Sequence, residues 1–227
     1  MKTVKKILRA IKRLMIKVFG TKTDELYWRF RHAFDKSWTK SYISQTSIND
    51  AHRRPLIEKI SNFAPFESIL EFGCASGPNL YLLAQRFPET QLYGIDISEK
   101  AIEEGERYFA ESNIGNVSLS ATSEKSLSNF KDKSIDVVFT DAVLIYFGKD
   151  KIEDAIRHLL RIAKKGIVLL ELHHWGNKSI YQDNWVHNYQ NIFEAFIDKE
   201  KIKITKLPKN MWGGNWDEYG HIIEVKL

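Results

Sequence analysis

One cysteine, Cys74, occurs in 227 residues, a scarcity that excludes an internal disulfide framework, a zinc site built on several thiolates and a CxxC redox pair. An intracellular, cytoplasmic protein is the expectation. Long apolar runs are missing from the start of the chain as well. The longest within the first nineteen residues is Leu14-Met15-Ile16, far below the roughly 20 residues of a membrane span and too short for the apolar section of a secretory signal. No internal repeat, low-complexity tract or interdomain linker interrupts the sequence. What is present, 43% hydrophobic and 28% charged residues, is ordinary for a folded chain, so disordered and fibrous classes are excluded and one α/β domain with appendages is expected.

Acidic residues are absent before Asp24. Of the 34 basic residues, eight (Lys2, Lys5, Lys6, Arg9, Lys12, Arg13, Lys17 and Lys22) precede it, which leaves 26 basic against 29 acidic residues in the remainder. The net charge of +5 therefore belongs to a tail on a mildly acidic body, and a nucleic-acid footprint over the whole domain is disfavoured. Within residues 1–19, Val4, Ile7, Leu8, Ile11, Leu14, Met15, Val18 and Phe19 recur at spacings of three and four. On a helix they make one apolar stripe opposite the cations. A basic amphipathic helix over residues 1–23 is expected to contact an anionic membrane surface peripherally, at the inner face of the membrane. Docking on its own domain, a homodimer contact and an RNA-binding arm are the alternatives. Residues 24–51 follow with Tyr27, Trp28, Phe30, Phe34, Trp38 and Tyr42 interleaved with Arg29, Arg31 and His32. They suit a helical lid over a pocket, or plain packing against the domain.

From residue 52 onward, apolar runs of strand length alternate with helical patterns. Strands are expected at 68–72, 91–95, 117–120, 135–140 and 167–172, and helices after Pro55 and at 79–86, 98–111 and 151–163. Such alternation implies a parallel sheet covered on both faces, with ligands beyond the carboxyl ends of its strands. Runs 202–207 and 221–225 have no helix between them, only a loop, so they should pair antiparallel.

The most informative stretch is Ser68-Ile69-Leu70-Glu71-Phe72-Gly73-Cys74-Ala75-Ser76-Gly77-Pro78-Asn79-Leu80. A strand ends at an acid, passes through glycines four apart and enters a helix. Small residues there let backbone approach a ligand, and the helix start offers free N–H groups. Nineteen residues after Gly77 comes Asp96, whose carboxylate can accept both hydroxyl hydrogens of a ribose. A nucleoside site follows. The pattern lacks the third glycine of a nicotinamide fingerprint, and the acid at 71 would repel a pyrophosphate but receive the cationic end of S-adenosyl-L-methionine (SAM).

On these residues the chain resembles the class I SAM-dependent methyltransferases over residues 52–227. The resemblance implies a Rossmann-like three-layer α/β/α sandwich with a seven-stranded, mostly parallel sheet whose last strand is antiparallel, preceded here by the N-terminal helical extension. It implies SAM as cofactor, with Glu71, Gly73, Cys74, Ala75 and Gly77 at the methionine end, Asp96 and Ile97 at the ribose and adenine, Ser123 and Glu124 at the adenine, and Asp141 and Ala142 as the floor. Ala75 replaces the usual middle glycine, and Ser123 stands where many relatives have an aspartate.

Several acceptors are excluded by what is missing. Thr140-Asp141-Ala142-Val143-Leu144-Ile145-Tyr146 contains no [DNS]-P-P-[YF] loop. Cys74 sits in the cofactor loop, which leaves no cysteine nucleophile for a pyrimidine C5. The Asp-Asn pair of metal-dependent catechol-type relatives is absent immediately after the fifth strand, and no metal is expected. What remains is a general base: His173 and His174 follow the fifth strand, and histidine has a suitable pKa, although either could instead shape the pocket wall. His187 is expected on a helix with a surface or packing role. Trp28, Arg31, Tyr146 and Trp175 are expected to face the acceptor, and the tryptophans and tyrosines of 175–196 and 208–220 suit stacking on sugars or planar metabolites as well as simple burial. The expected activity is O-methylation of a small molecule or glycan hydroxyl. RNA methylation with the tail as arm and an inactive SAM-binding partner subunit are the rivals.

Overall fold

A computed structural model describes residues 38–122 and 124–227. The expected helix 1–23, Trp28, Arg31 and Ser123 lie outside the described residues. The chain enters through two short helices, α1 (Trp38–Tyr42) and α2 (Gln45–Ile48), then α3 (Arg53–Ser61). Alternation follows: β1 (Ser68–Phe72), α4 (Pro78–Arg86), β2 (Gln91–Asp96), α5 (Glu99–Glu111), β3 (Val117–Ala121), β4 (Ile135–Asp141), α6 (Ile152–Ile162) and β5 (Ala163–Leu172). A 3-10 turn at Glu124–Asn129 follows β3 and another at Leu144–Tyr146 follows β4. The chain closes with β6 (Ile180–Tyr181), β7 (Trp185–Val186), α7 (Tyr189–Glu194), β8 (Ile202–Lys206), α8 (Asn215–Tyr219) and β9 (Gly220–Lys226).

Seven strands form one sheet in the order β3-β2-β1-β4-β5-β9-β8. Strands β1 to β5 pair parallel, whereas β9 pairs antiparallel with both β5 and β8. The pairing is as anticipated, but the connection is not helix-free: β8 reaches β9 through a loop that contains the five-residue helix α8, too short for a crossover between parallel strands. In β4 all of Ile135 to Thr140 are buried, which only a sheet covered on both faces can do. Val138, Ile167, Leu169 and Ile223 face one core with α6 and α7. Val137, Phe139, Val168 and Leu170 face the other with α3 and α4.

The helices bury one stripe each. In α6 Ile152, Ala155, Ile156, Leu159 and Ile162 are buried, the three-and-four spacing of a single helical face. Helix α5 begins at Ser98, whose hydroxyl accepts from the Ala101 N–H, a conventional cap. Where β1 and β4 lie side by side, the connections leave in opposite directions across the sheet. That is the topological switch point at which such sheets open a crevice. Among the described residues, no helix is long and apolar enough to cross a membrane.

Residues 175–196 differ from expectation. They form the small β6–β7 ribbon and α7, and His187 is not helical but forms an isolated bridge with His173, fully buried. Its ring takes a hydrogen bond from, or gives one to, the Ser179 hydroxyl at Nδ1 (2.7 Å) and lies 2.8 Å through Nε2 from the Phe147 carbonyl oxygen. The packing half of the expectation holds; the helix does not.

Candidate active site

The loop after β1 crosses the switch point under tight backbone constraint. Gly73 and Gly77 have φ of 77° and 81°, and Ala75 lies at 49°, all in the left-handed region that glycine enters at least cost. A Cβ on Gly73 would also collide with the side chain of Val143. The loop is held from below: the N–H groups of Gly73 and Cys74 donate to the Ile95 carbonyl oxygen (2.8 and 3.1 Å). Cys74 presents only backbone to the crevice, since its thiol is buried in the core with α4 and burial pushes its pKa well up. Gly105 of α5 lies so close beneath Ser76 that an added Cβ would come within 2.7 Å of its carbonyl oxygen.

Asp96, at the end of β2, receives the Ala75 N–H on one oxygen and the Ser98 N–H on the other, both at 2.9 Å. These bonds fix the carboxylate at the lip of the loop with lone pairs to spare. Burial raises its pKa. Ile97 follows, half-buried. Glu124 lies in the 3-10 turn beyond β3.

Opposite, a buried polar network joins Glu71, Asn79 and Asp141. The Asn79 amide donates to Glu71 Oε1 (2.7 Å) and to Asp141 Oδ2 (2.9 Å). Arg53, which no local sequence pattern singles out, donates from Nη1 to Asn79 Oδ1 and Asp141 Oδ2, both at 2.9 Å. His52 Nε2 stands 3.4 Å from the same Asp141 oxygen. Burial works against the Asp141 charge, but His52, Arg53 and Asn79 outweigh it and hold its carboxyl below the usual range. Glu71 has less help: burial, with Asp141 and Asp96 adding to it, pushes its pKa well up. Two buried oxygens, Glu71 Oε2 and Asp141 Oδ1, have no hydrogen-bond partner among the described residues. Unpaired buried acceptors are costly, and a ligand bearing a cation or several N–H donors relieves both.

The network continues outward as a stack of rings. His52 lies flat on Trp212 (centroids 3.7 Å, 6°), and Trp212 on Trp216 (4.2 Å, 17°). The loop between β8 and β9 thus closes over the same end of the sheet. Ala142, with φ of 58°, turns the chain from β4 into the segment whose N–H groups Glu171 collects. Oε1 of Glu171 accepts from Thr140 Oγ1 (2.7 Å) and from the N–H groups of Val143 and Leu144 (3.0 Å each), and Oε2 accepts from Ile145 (3.1 Å). Burial nevertheless raises its pKa to about 7. Tyr146, Trp216, Tyr219 and Ile180 pack around Ile145, Leu172 and Val186; Trp175 is 64% exposed.

The two candidate bases do not have the geometry of bases. His173 is completely buried and its Nδ1 accepts the Tyr189 N–H (3.2 Å). His174 Nδ1 accepts the Gly176 N–H (3.0 Å). A neutral imidazole whose Nδ1 accepts has its proton on Nε2, so each ring is a donor there. Burial, with His221 and His174 nearby, lowers the His173 pKa to about 3, which keeps it neutral. Position along β5 suggested a base; only the neighbouring N–H groups reveal the tautomer. Among the described residues no group of three or more His, Cys, Asp or Glu side chains is arranged to hold a metal ion.

Comparison with known proteins agrees with this geometry. Residues 69–166 match the family model described as a methyltransferase domain. An uncharacterized protein of Rickettsia prowazekii is 34% identical over 104 residues, 44% of this chain and 41% of its own length. Trans-aconitate 2-methyltransferase of Pseudomonas aeruginosa is 33% identical over 81 residues, 35% of this chain and 29% of its own. The chain therefore spans less than half the length of these two curated relatives. Among solved structures, magnesium protoporphyrin IX methyltransferase from Synechocystis PCC 6803 with bound SAM superposes with a TM-score of 0.61 at 19% identity, covering 96% of both chains. A SAM-dependent methyltransferase from Aquifex aeolicus gives 0.60 at 15% identity, covering 85% of this chain and 98% of that one. The loop, the strand order and the family match agree: residues 69–166 are a methyltransferase domain on the Rossmann-like fold of the class I SAM-dependent methyltransferases, with S-adenosyl-L-methionine as cofactor.

Proposed function

We propose that the protein transfers a methyl group from SAM to a hydroxyl of a small molecule or glycan. The observation that supports this most directly is the pair of unpartnered, buried oxygens at Glu71 and Asp141 beside the left-handed Gly73–Gly77 crossing. They fit the amino end of the cofactor, as Asp96 fits its ribose. When bound, SAM supplies a methyl already activated on a sulfonium, so no covalent enzyme intermediate is needed. The chain's own work is to hold the acceptor in line, exclude water and remove a proton.

The loop glycines give backbone access, Asn79 and Arg53 orient Asp141, and the 38–51 segment with the Trp212 loop covers this end of the sheet. His52 takes the place of His173 and His174 as the residue for proton removal. Asp141 Oδ2 lies 3.4 Å from its Nε2, an arrangement that favours the tautomer with the proton there and the lone pair on Nδ1. The aromatic wall of Tyr146, Trp216 and Tyr219 suits a sugar or planar acceptor, and the mildly acidic body favours such molecules over RNA.

A carboxylate acceptor is the second reading, favoured by two unpartnered buried donors, His174 Nε2 and Trp185 Nε1. It needs no base. Incubation with methyl-labelled SAM and two acceptor sets, sugar nucleotides and polycarboxylates, distinguishes the readings. Alkali-stable label identifies an ether and supports the hydroxyl, whereas alkali-labile label identifies an ester and the second reading. Failure of calorimetry to detect binding of SAM or S-adenosylhomocysteine would sink both.

A further inference from the structure

Arg53 is 5% exposed and divides its donors between two parts of the molecule. Nε donates to the Ser47 carbonyl oxygen (2.7 Å) and Nη2 to the Ser47 hydroxyl (3.1 Å), both in α2. Nη1 donates to Asn79 and Asp141 on the cofactor floor. One guanidinium thus fastens the described part of the lid to the network that holds the two unpartnered oxygens. A second fastener runs in parallel: the buried Ser76 hydroxyl, inside the cofactor loop, donates to the Thr39 carbonyl oxygen of α1 (2.9 Å). A third joins Gln45 to the Tyr108 hydroxyl on α5 (3.1 Å).

We propose that Arg53 is a positioning residue that links filling of the donor cleft to seating of residues 38–51. The inference rests on the SAM-binding reading of the cleft. Withdrawal of the lid removes Ser47 and leaves a buried guanidinium with unpaired N–H groups, a costly state. Withdrawal is easiest while Asp141 and Glu71 each have a free oxygen and Asp141 can turn with Arg53. A ligand that engages those oxygens fixes Asp141, and Asp141 then fixes Arg53 on Ser47. Such a ligand binds the seated-lid state more tightly than the open one and shifts the population toward it. The linkage is reciprocal: the seated lid favours the ligand by the factor by which the ligand favours the seated lid, so a variant that unseats the lid weakens the ligand by at most that factor.

Hydrogen exchange and calorimetry with S-adenosylhomocysteine test this without any acceptor. In the unaltered protein, saturating S-adenosylhomocysteine should slow exchange of the amides of residues 38–51. Arg53→Lys keeps the charge but not the fork, and it should still bind the compound while losing that slowing. Ser47→Ala, which removes a hydroxyl that meets Arg53 and none of the cleft oxygens, should weaken binding about 3- to 10-fold, the scale of one ordinary hydrogen bond. Binding with no slowing in the unaltered protein overturns the linkage and leaves the SAM reading intact. Retained slowing in Arg53→Lys, or undiminished affinity in Ser47→Ala, overturns the role of Arg53. Absence of binding to the unaltered protein overturns the SAM reading and the linkage with it.

Discussion

At the scale of single residues, the site depends on where protons sit and which lone pairs stay free. Asp96 already receives two N–H groups. Replacing it by asparagine forces an NH2 against one of those donors and removes an acceptor for the ribose. Asp96→Asn should therefore lower S-adenosylhomocysteine affinity about 10- to 100-fold by calorimetry, and unchanged affinity would remove Asp96 from the site. His52 is tested differently. His52→Gln should lower turnover of a hydroxyl acceptor by about 100-fold or more, the usual contribution of a positioned base. S-adenosylhomocysteine affinity should fall less than tenfold. With a carboxylate acceptor the same change should leave turnover within a few-fold, so one variant separates base catalysis from simple alignment. Glu71, Gly73 and Gly77 stood out in the sequence because a ligand-approaching turn restricts residue type over a few consecutive positions, and Asp96 and Asp141 because each is an acid that ends an apolar strand. Arg53 and His52 were not. Their roles arise from contacts 26 and 88 residues away with Asn79 and Asp141, and no local pattern encodes those.

At the scale of elements, strands announced themselves because β1, β4 and β5 are apolar on both faces, and their observed ends differ by a residue or more only where the apolar run fades. The extension of β5 back to Ala163 runs through Lys164 and Lys165, charged residues that masked strand character. The stretch 175–196 was opaque because its aromatics recur at neither period. The turn after β4 shows what such unpatterned segments need: four hydrogen bonds converging on the Glu171 carboxyl. The raised Glu171 pKa has a definite consequence. The folded state keeps a proton up to about pH 7, whereas the unfolded chain releases it near 4.5. The group therefore favours folding at low pH, and that contribution is lost as pH rises from 4.5 through 7. The stability of the unaltered protein relative to Glu171→Gln should fall by about 3 kcal/mol over that window, at about 1.4 kcal/mol per pK unit. Urea unfolding of both proteins at pH 5 and pH 7.5 measures the difference, and a pH-independent difference would show that Glu171 titrates normally.

At the scale of the whole molecule, the buried ionisable groups form two opposed sets. Glu71, Asp96 and Glu171 have raised pKa values, chiefly from burial. Each takes up a proton in the fold before it does in the unfolded chain, so each adds stability as pH falls toward its unfolded value. His173, His187 and His221 are lowered by burial, His173 to about 3 and His187 to about 4. Each resists a proton that the unfolded chain accepts near 6.5, so each loses stability as pH falls below 6.5. Between pH 6.5 and 4.5 the two sets act with opposite sign. Below about pH 4 the balance ends. The raised carboxyls are then protonated in both states, while Asp141 and Asp136, both held below the usual range, must be protonated against their partners, and His173 is still titrating. Stability should accordingly change less between pH 6.5 and 4.5 than below pH 4, where it should drop steeply. Urea midpoints at pH 6.5, 5.5, 4.5 and 3.5 read this directly. A steady decline from pH 6.5 would mean that the histidines dominate and that the cleft carboxylates are ionised in the fold. In that event Glu71 would meet the cofactor already charged, and SAM binding would release no proton from it, which calorimetry in two buffers of different ionisation enthalpy would show.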